Sequence, residues 1–247
     1  MPTTVWSPPR SALGALGAFL AALSLGACGP QSAAERGQAL FSDPAFSPSP
    51  SNLFSCATCH AASPQSAADR QALRLAGGSL AGVVQRSALW CGRYPYLLDA
   101  VNTCLTTFMR GAALTPDDPD GRALLGYLQT LPQSAAPRPA CTVVRTIDSN
   151  YLSGLPRGDA ARGAAVYTAA CALCHGQRGS GEGRLGARVS RVPDDTVATF
   201  GRGTAPAVVA EKIRHGKFYG IGGDMPPYTL ETLSDAELAD ILSYLLP

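Results

Sequence analysis

The sequence predicts an all-α fold in which two tandem small helical domains are joined by a proline-rich linker. Three observations carry this expectation. The pentapeptide Cys-x-x-Cys-His occurs twice, as Cys56-Ala57-Thr58-Cys59-His60 and as Cys171-Ala172-Leu173-Cys174-His175. Matching openings precede the two copies, Arg36-Gly37-Gln38-Ala39-Leu40-Phe41 and Arg162-Gly163-Ala164-Ala165-Val166-Tyr167, although the first half inserts Ser42 to Ser55 before its motif. Each half then closes on an amphipathic stretch with apolar residues at helical spacing.

At the amino terminus, Ser11 to Ala27 is an unbroken apolar run behind a segment whose only charge is Arg10, the layout of a secretory signal peptide. At roughly 17 residues it is short for a membrane span, and Gly14, Gly17 and Gly26 weaken it as a permanent helix. Its end, Leu25-Gly26-Ala27-Cys28, resembles the lipobox of bacterial lipoproteins, in which the cysteine is lipidated and becomes the first mature residue. The expected organisation is a lipoprotein-type signal peptide over 1–27 and a tether over 28–35. A first domain over 36–131, a linker over 132–156 and a second domain over 157–247 follow. An acylated Cys28 would hold the protein at a membrane, since each buried methylene contributes about 0.8 kcal/mol.

The first closing helix is expected to start at Thr115-Pro116-Asp117-Asp118, with a cap, an early proline and acidic residues at the positive end of the helix dipole. Leu124, Leu125, Leu128 and Leu131 give it an apolar face. The second has a capping box in Ser234 and Glu237, then Leu238, Ile241, Leu242 and Leu245 at i, i+3, i+4 and i+7. Tyr127 and Tyr244 stand near the two helix ends. The segment from Leu131 to Pro139 is rich in proline and stays extended. Val143 to Ile147 has the composition of a short strand.

Net charge is +2, and only Lys212 and Lys217 are lysines. No basic run of the kind that binds nucleic acid is present, which disfavours DNA and RNA as partners.

Cys-x-x-Cys-His is the pattern of covalent c-type haem attachment. Two thiols one helical turn apart can each form a thioether to a haem vinyl, and the adjacent imidazole then falls beneath the iron. The two pairs are too far apart in the chain for a compact zinc module. The alanine-rich, helix-like run before Cys171 lacks the strand that a thioredoxin-like dithiol requires. Cys56, Cys59, Cys171 and Cys174 are therefore read as attachment residues for two covalently bound haem c groups, with His60 and His175 as proximal iron ligands.

Opening helix, haem motif, loop and closing helix together resemble the small cytochrome c domain over about 31–131 and again over about 157–247. The resemblance implies a distal ligand loop before the last helix, and Met225 in Gly222-Gly223-Asp224-Met225-Pro226-Pro227 falls there. His215, in a helix-end setting, is given no ligand role. In the first half both Cys104 and Met109 lie where a distal ligand belongs. The segment from Asp99 to Gly111 is similar to a stretch of the dihaem thiosulfate dehydrogenases whose cysteine ligates the active-site haem. Val101, Asn102, Cys104, Met109 and Gly111 match it, while Thr107-Phe108 replaces an arginine-serine pair of that family.

With the lipid site and four thioether cysteines set aside, Cys91, Cys104 and Cys141 remain of the eight cysteines. If Cys104 binds iron, Cys91 and Cys141 can pair; if Cys91 pairs with Cys104, Met109 becomes the ligand. Sequence leaves both open. The function expected first is an exported, lipid-anchored dihaem electron carrier on the periplasmic side of a bacterial membrane. Its partners would be redox proteins: a soluble cytochrome, an oxidase or a dehydrogenase. The alternatives are an enzyme oxidising thiosulfate or a similar sulfur anion, with Arg86, Arg93 or Arg110 as anion holders, and a haem subunit of a larger dehydrogenase complex.

Overall fold

The computed structural model describes residues 31–133, 141–144, 146, 150–219 and 223–247. The expected signal peptide, Cys28, most of the proline-rich linker and Gly222 lie outside the described residues. Ser32–Pro247 form one compact unit. Among the described residues, no helix is long and apolar enough to cross a membrane.

The chain is all-α in class, and among the described residues strand is limited to two short segments. In the first half α1 (Ala33–Ser42) is followed by α2 (Cys56–Cys59), β1 (His60–Ala61), α3 (Ala67–Ala72), β2 (Gly78–Ser79), α4 (Leu97–Thr107) and α5 (Pro119–Thr130). Strands β1 and β2 are parallel, with His60 opposite Gly78 and Ala61 opposite Ser79. The second half holds α6 (Tyr151–Gly154), α7 (Ala160–Ala170), α8 (Ala172–His175), α9 (Asp194–Phe200), α10 (Ala205–Tyr219) and α11 (Asp235–Leu245).

Local chemistry explains the helix starts. Ser32 and Glu35 form a reciprocal capping box on α1, so residues assigned to the tether from sequence belong to the helix and its cap. Ser234 and Glu237 do the same for α11, as expected. Helix α5 begins one turn later than expected. Asp118 is its N-cap residue and Pro119 sits in its first turn, while Thr115 donates its amide to the Asp118 carboxylate in the turn before. Of the expected strand, Val143, Val144 and Thr146 are not in strand, and 145 and 147 lie outside the described residues.

Each half is built on one tight helix pair. Helix α1 packs along α5, and α7 along α11. A Cβ on Gly37 would stand 2.0 Å from the Ala123 carbonyl oxygen, and one on Gly163 would stand 2.0 Å from that of Asp240. Only glycine permits such close backbone approach. The core of the second half includes Tyr167, Ile213, Leu233, Leu238 and Ile241, with Leu238 and Ile241 fully buried. Each such aliphatic side chain stabilises the fold by about 2 kcal/mol. In the first half Phe41, Leu124, Tyr127 and Leu128 form one cluster, and Phe54, Leu105, Phe108 and Met109 another. Cys174 and Leu185 of the second half pack on that latter cluster. The Arg74 amide donates to Ala169 across the same boundary, at 2.9 Å.

Candidate functional site

The first motif is a single helical turn. Ser55 and Thr58 cap each other across α2, which places Cys56 and Cys59 one turn apart. His60 then leaves the helix into β1, and its ring rests on the backbone of Gly77. A Cβ there would lie 2.2 Å from the His60 Cε1. The ring is buried and its Nδ1 has no hydrogen-bond partner. Burial pushes the imidazole down to about 4, against the opposing influence of the Gly78 and Gly77 backbone and with a small contribution from Arg86. A neutral imidazole with an unsatisfied nitrogen is the form that binds a metal.

The second motif continues from α7 into α8. Its His175 makes a 2.8 Å contact from Nδ1 to the Ser190 carbonyl, which requires Nδ1–H and leaves Nε2 with its lone pair. Burial lowers the pKa of this ring too, with the Ser190 carbonyl acting the other way. The Tyr167 and Tyr228 hydroxyls donate to the Gly176 and Ala170 carbonyls, which fixes both ends of the motif.

All four motif cysteines are free thiols, and burial raises the pKa of each. Cys59 goes up to about 12, first through burial and then through Cys174 and Cys56 nearby. The two motifs therefore meet. Cys59 and Cys174 line one cleft with Phe54, Thr58, Arg74 and Tyr228. Two thiols one turn apart with a neutral imidazole directly after them are the donor set of a covalently held porphyrin.

The remaining cysteines have one arrangement in the structure: Cys91 is bonded to Cys141, and Cys104 is free. Cys104 lies on α4, buried against Cys56 and Cys59, and its thiol pKa is raised strongly by burial and then by those neighbours. Met109 is almost wholly buried among Phe54, Leu105 and Phe108, and its carbonyl accepts from the Ser47 hydroxyl at 2.6 Å. Met225 is partly buried and packs against the core of the second half. His215 has both ring nitrogens engaged, Nδ1 with the Glu211 carboxylate at 2.8 Å and Nε2 with the Val144 carbonyl at 2.5 Å. It ties the linker to α10.

Of the arginines considered as anion holders, Arg86 donates to the Ser79 and Ala81 carbonyls and Arg110 donates to Asp224. Sequence reasoning did not single out Gly77 or Ser190 as supports for the two imidazoles. The Gly77-Gly78 pair was a visible signal; nothing local marked Ser190.

Comparison with known proteins places the second half. Residues 158–245 match the family described as cytochrome C oxidase, cbb3-type, subunit III. That stretch is similar to a cytochrome c domain. Such a domain implies covalently bound haem c, electron transfer and contact with redox partners. Among solved structures the chain resembles a thiosulfate dehydrogenase from Marichromatium purpuratum in its as-isolated form, at 20% identity and a TM-score of 0.38. The match covers 87% of this chain and 46% of that one, so the chain spans about half the length of that protein.

Proposed function

We propose that this chain is an exported c-type cytochrome, tethered at the periplasmic face of a membrane through Cys28, that carries two haem c groups and passes electrons between respiratory redox partners. The observation that carries the reading is the convergence of the two Cys-x-x-Cys-His motifs on one cleft, with Cys59 and Cys174 as neighbours. Haem c, when bound, supplies the one-electron iron couple. The chain's part would be to present His60 and His175 as neutral imidazoles, to line the cleft with Phe54 and Tyr228, and to hold the iron through further side chains.

Met225 would be a further iron ligand at the second site. For the first site, the Cys91–Cys141 disulfide leaves Cys104 as a buried thiol beside Cys56 and Cys59, and this favours Cys104 over Met109. In its apolar surroundings the thiol holds its proton, and as an iron ligand Cys104 would take the thiolate form, favoured by the charge of the metal.

The same thiol supports a second reading, oxidation of thiosulfate or a similar sulfur anion at the first site. The commitment of Arg86 and Arg110 to protein acceptors counts against it.

Haem quantified against protein should give two groups per chain; a ratio of one overturns the dihaem reading. Low-temperature EPR should show one His/Met and one thiolate-ligated low-spin signal, and Cys104→Ala should abolish the latter. Only His/Met signals in the parent protein would return the first site to Met109. Thiosulfate should leave the oxidised protein unreduced, and rapid reduction would replace the carrier reading with the enzyme. Labelled fatty acid should enter the chain and be lost in Cys28→Ser.

A further inference from the structure

The segment that follows Met109 in the first half reaches the segment that precedes Met225 in the second. Arg110 Nη2 donates to both carboxylate oxygens of Asp224, at 2.7 Å each. Lys217 Nζ donates to the same carboxylate at 3.1 Å, while its backbone amide donates to the Met225 carbonyl at 2.8 Å. Lys217 thus grips Asp224 by its side chain and Met225 by its main chain.

The backbone is built to allow this. Helix α10 breaks at Gly216, with φ at +51°, and a Cβ there would lie 2.2 Å from the Met225 carbonyl oxygen. On the other side Arg110 has φ at +56°, a left-handed conformation that costs a residue with a Cβ. Its neighbours are pinned, Met109 by Ser47 and Gly111 by the Leu105 carbonyl. The side chain kept at this unfavourable φ is the one that crosses to the other half.

We propose that Arg110, Asp224 and Lys217 form a positioning device that holds Met225 in place for the second haem and ties its placement to the distal segment of the first half. The inference rests on the proposed function, specifically on Met225 as an iron ligand. Asp224 and Arg110 are positioning residues, since neither side chain reaches the iron in this reading; each acts through the loop that carries Met225. Asp224 is half-buried and bound by two cations, so it fixes the start of the Met225-Pro226-Pro227 segment more firmly than a solvated side chain would.

The test uses the full-length holoprotein and the variants Asp224→Asn, Arg110→Ala and Arg110→Lys. Two quantities are read: the far-red charge-transfer band of ferric haem ligated by methionine, and the midpoint potential of the second haem. Simple electrostatics would move the two charge-removing variants in opposite directions, because loss of an anion raises the potential and loss of a cation lowers it. Loss of positioning moves them together, because weakened thioether ligation lowers the potential in both. The expected result is a weakened band and a lowered second potential in Asp224→Asn and in Arg110→Ala. Arg110→Lys should restore both, since a single nitrogen makes both contacts.

Opposite shifts with an intact band would overturn the proposal, as would variants that merely melt at lower temperature with parent-like spectra. A parent protein that lacks the methionine band would overturn the second-site reading itself. A parent that has the band alongside unchanged variants overturns only the inference.

Discussion

The two halves of the molecule solve one packing problem with different chemistry. In each, an opening helix presses a glycine against the closing helix, Gly37 on Ala123 and Tyr127, Gly163 on Asp240 and Tyr244. In each, an aromatic pair closes the crossing: Phe41 with Tyr127 at 5.4 Å and Tyr167 with Tyr244 at 5.5 Å between ring centres. The arginine before each glycine binds a carboxylate on the facing helix, Arg36 to Asp120 and Arg162 to Asp240. There the likeness ends. The Asp120 side chain is 37% exposed and that of Asp240 is 6% exposed. Asp240 also accepts from the Asp159 backbone amide at 2.6 Å, so it anchors the approach to α7 as well as the arginine. Apolar contact and close backbone approach define the crossing in both halves, and the ionic contact is an ornament in one and a fixture in the other.

A second contrast concerns the linker. Its attachment to the first half is covalent, through Cys91–Cys141, whereas its contacts with the second half are hydrogen bonds, from Thr142 to Glu231 and from His215 to Val144. The largest predicted effect follows from this. With a sequence separation of 50, the disulfide constrains the unfolded chain by about 4 kcal/mol. The double variant Cys91→Ser with Cys141→Ser should lower the denaturant midpoint by a corresponding amount, and an unchanged midpoint would remove the covalent side of the contrast. Next in size are Gly37→Ala and Gly163→Ala. A new Cβ at 2.0 Å from a backbone carbonyl forces either helix pair apart, at about 1–3 kcal/mol or more. Similar losses in the two variants, read by thermal unfolding, would support a shared crossing; a loss in one alone would break the equivalence of the halves.

Much of this was legible in the sequence because it depends on short-range pattern. The doubled motif, the paired Arg-Gly openings and the Ser234–Glu237 box could be read without coordinates. The Ser32–Glu35 box carried the same signal and was passed over inside a presumed tether. At α5 the competing caps Thr115 and Asp118 both fit the local rules, and the structure uses the one directly before Pro119. What sequence could not supply is long-range pairing. Three leftover cysteines allow three single disulfides, and composition does not rank them. The Ser190 carbonyl behind His175 and the Arg110–Asp224 contact join residues whose proximity exists only in the folded chain.

The difference in ionic burial gives a smaller prediction. Asp240→Asn should cost about 2 kcal/mol, since it weakens charge-assisted hydrogen bonds at a buried carboxylate. Asp120→Asn should cost about 0–1 kcal/mol, the range for exposed pairs. Chemical denaturation of the two variants at neutral pH measures the gap, and equal costs would show that burial does not separate the halves.

The acid dependence of that gap is the finest test. The Arg162 guanidinium, chiefly, holds the Asp240 carboxyl below the ordinary aspartate value, with the Asp159 amide assisting and burial acting in opposition. A folded value below the unfolded one means that the native state binds its proton later than the unfolded state does. The stability this carboxylate contributes is therefore complete above about pH 4 and is lost as pH falls through the folded value. The difference in unfolding free energy between the parent and Asp240→Asn should be full at neutral pH and should shrink as the solution is taken below that point. A difference that stays constant into acid would mean that Asp240 acts through its shape and its hydrogen-bond geometry, with its charge contributing nothing to the α7–α11 crossing.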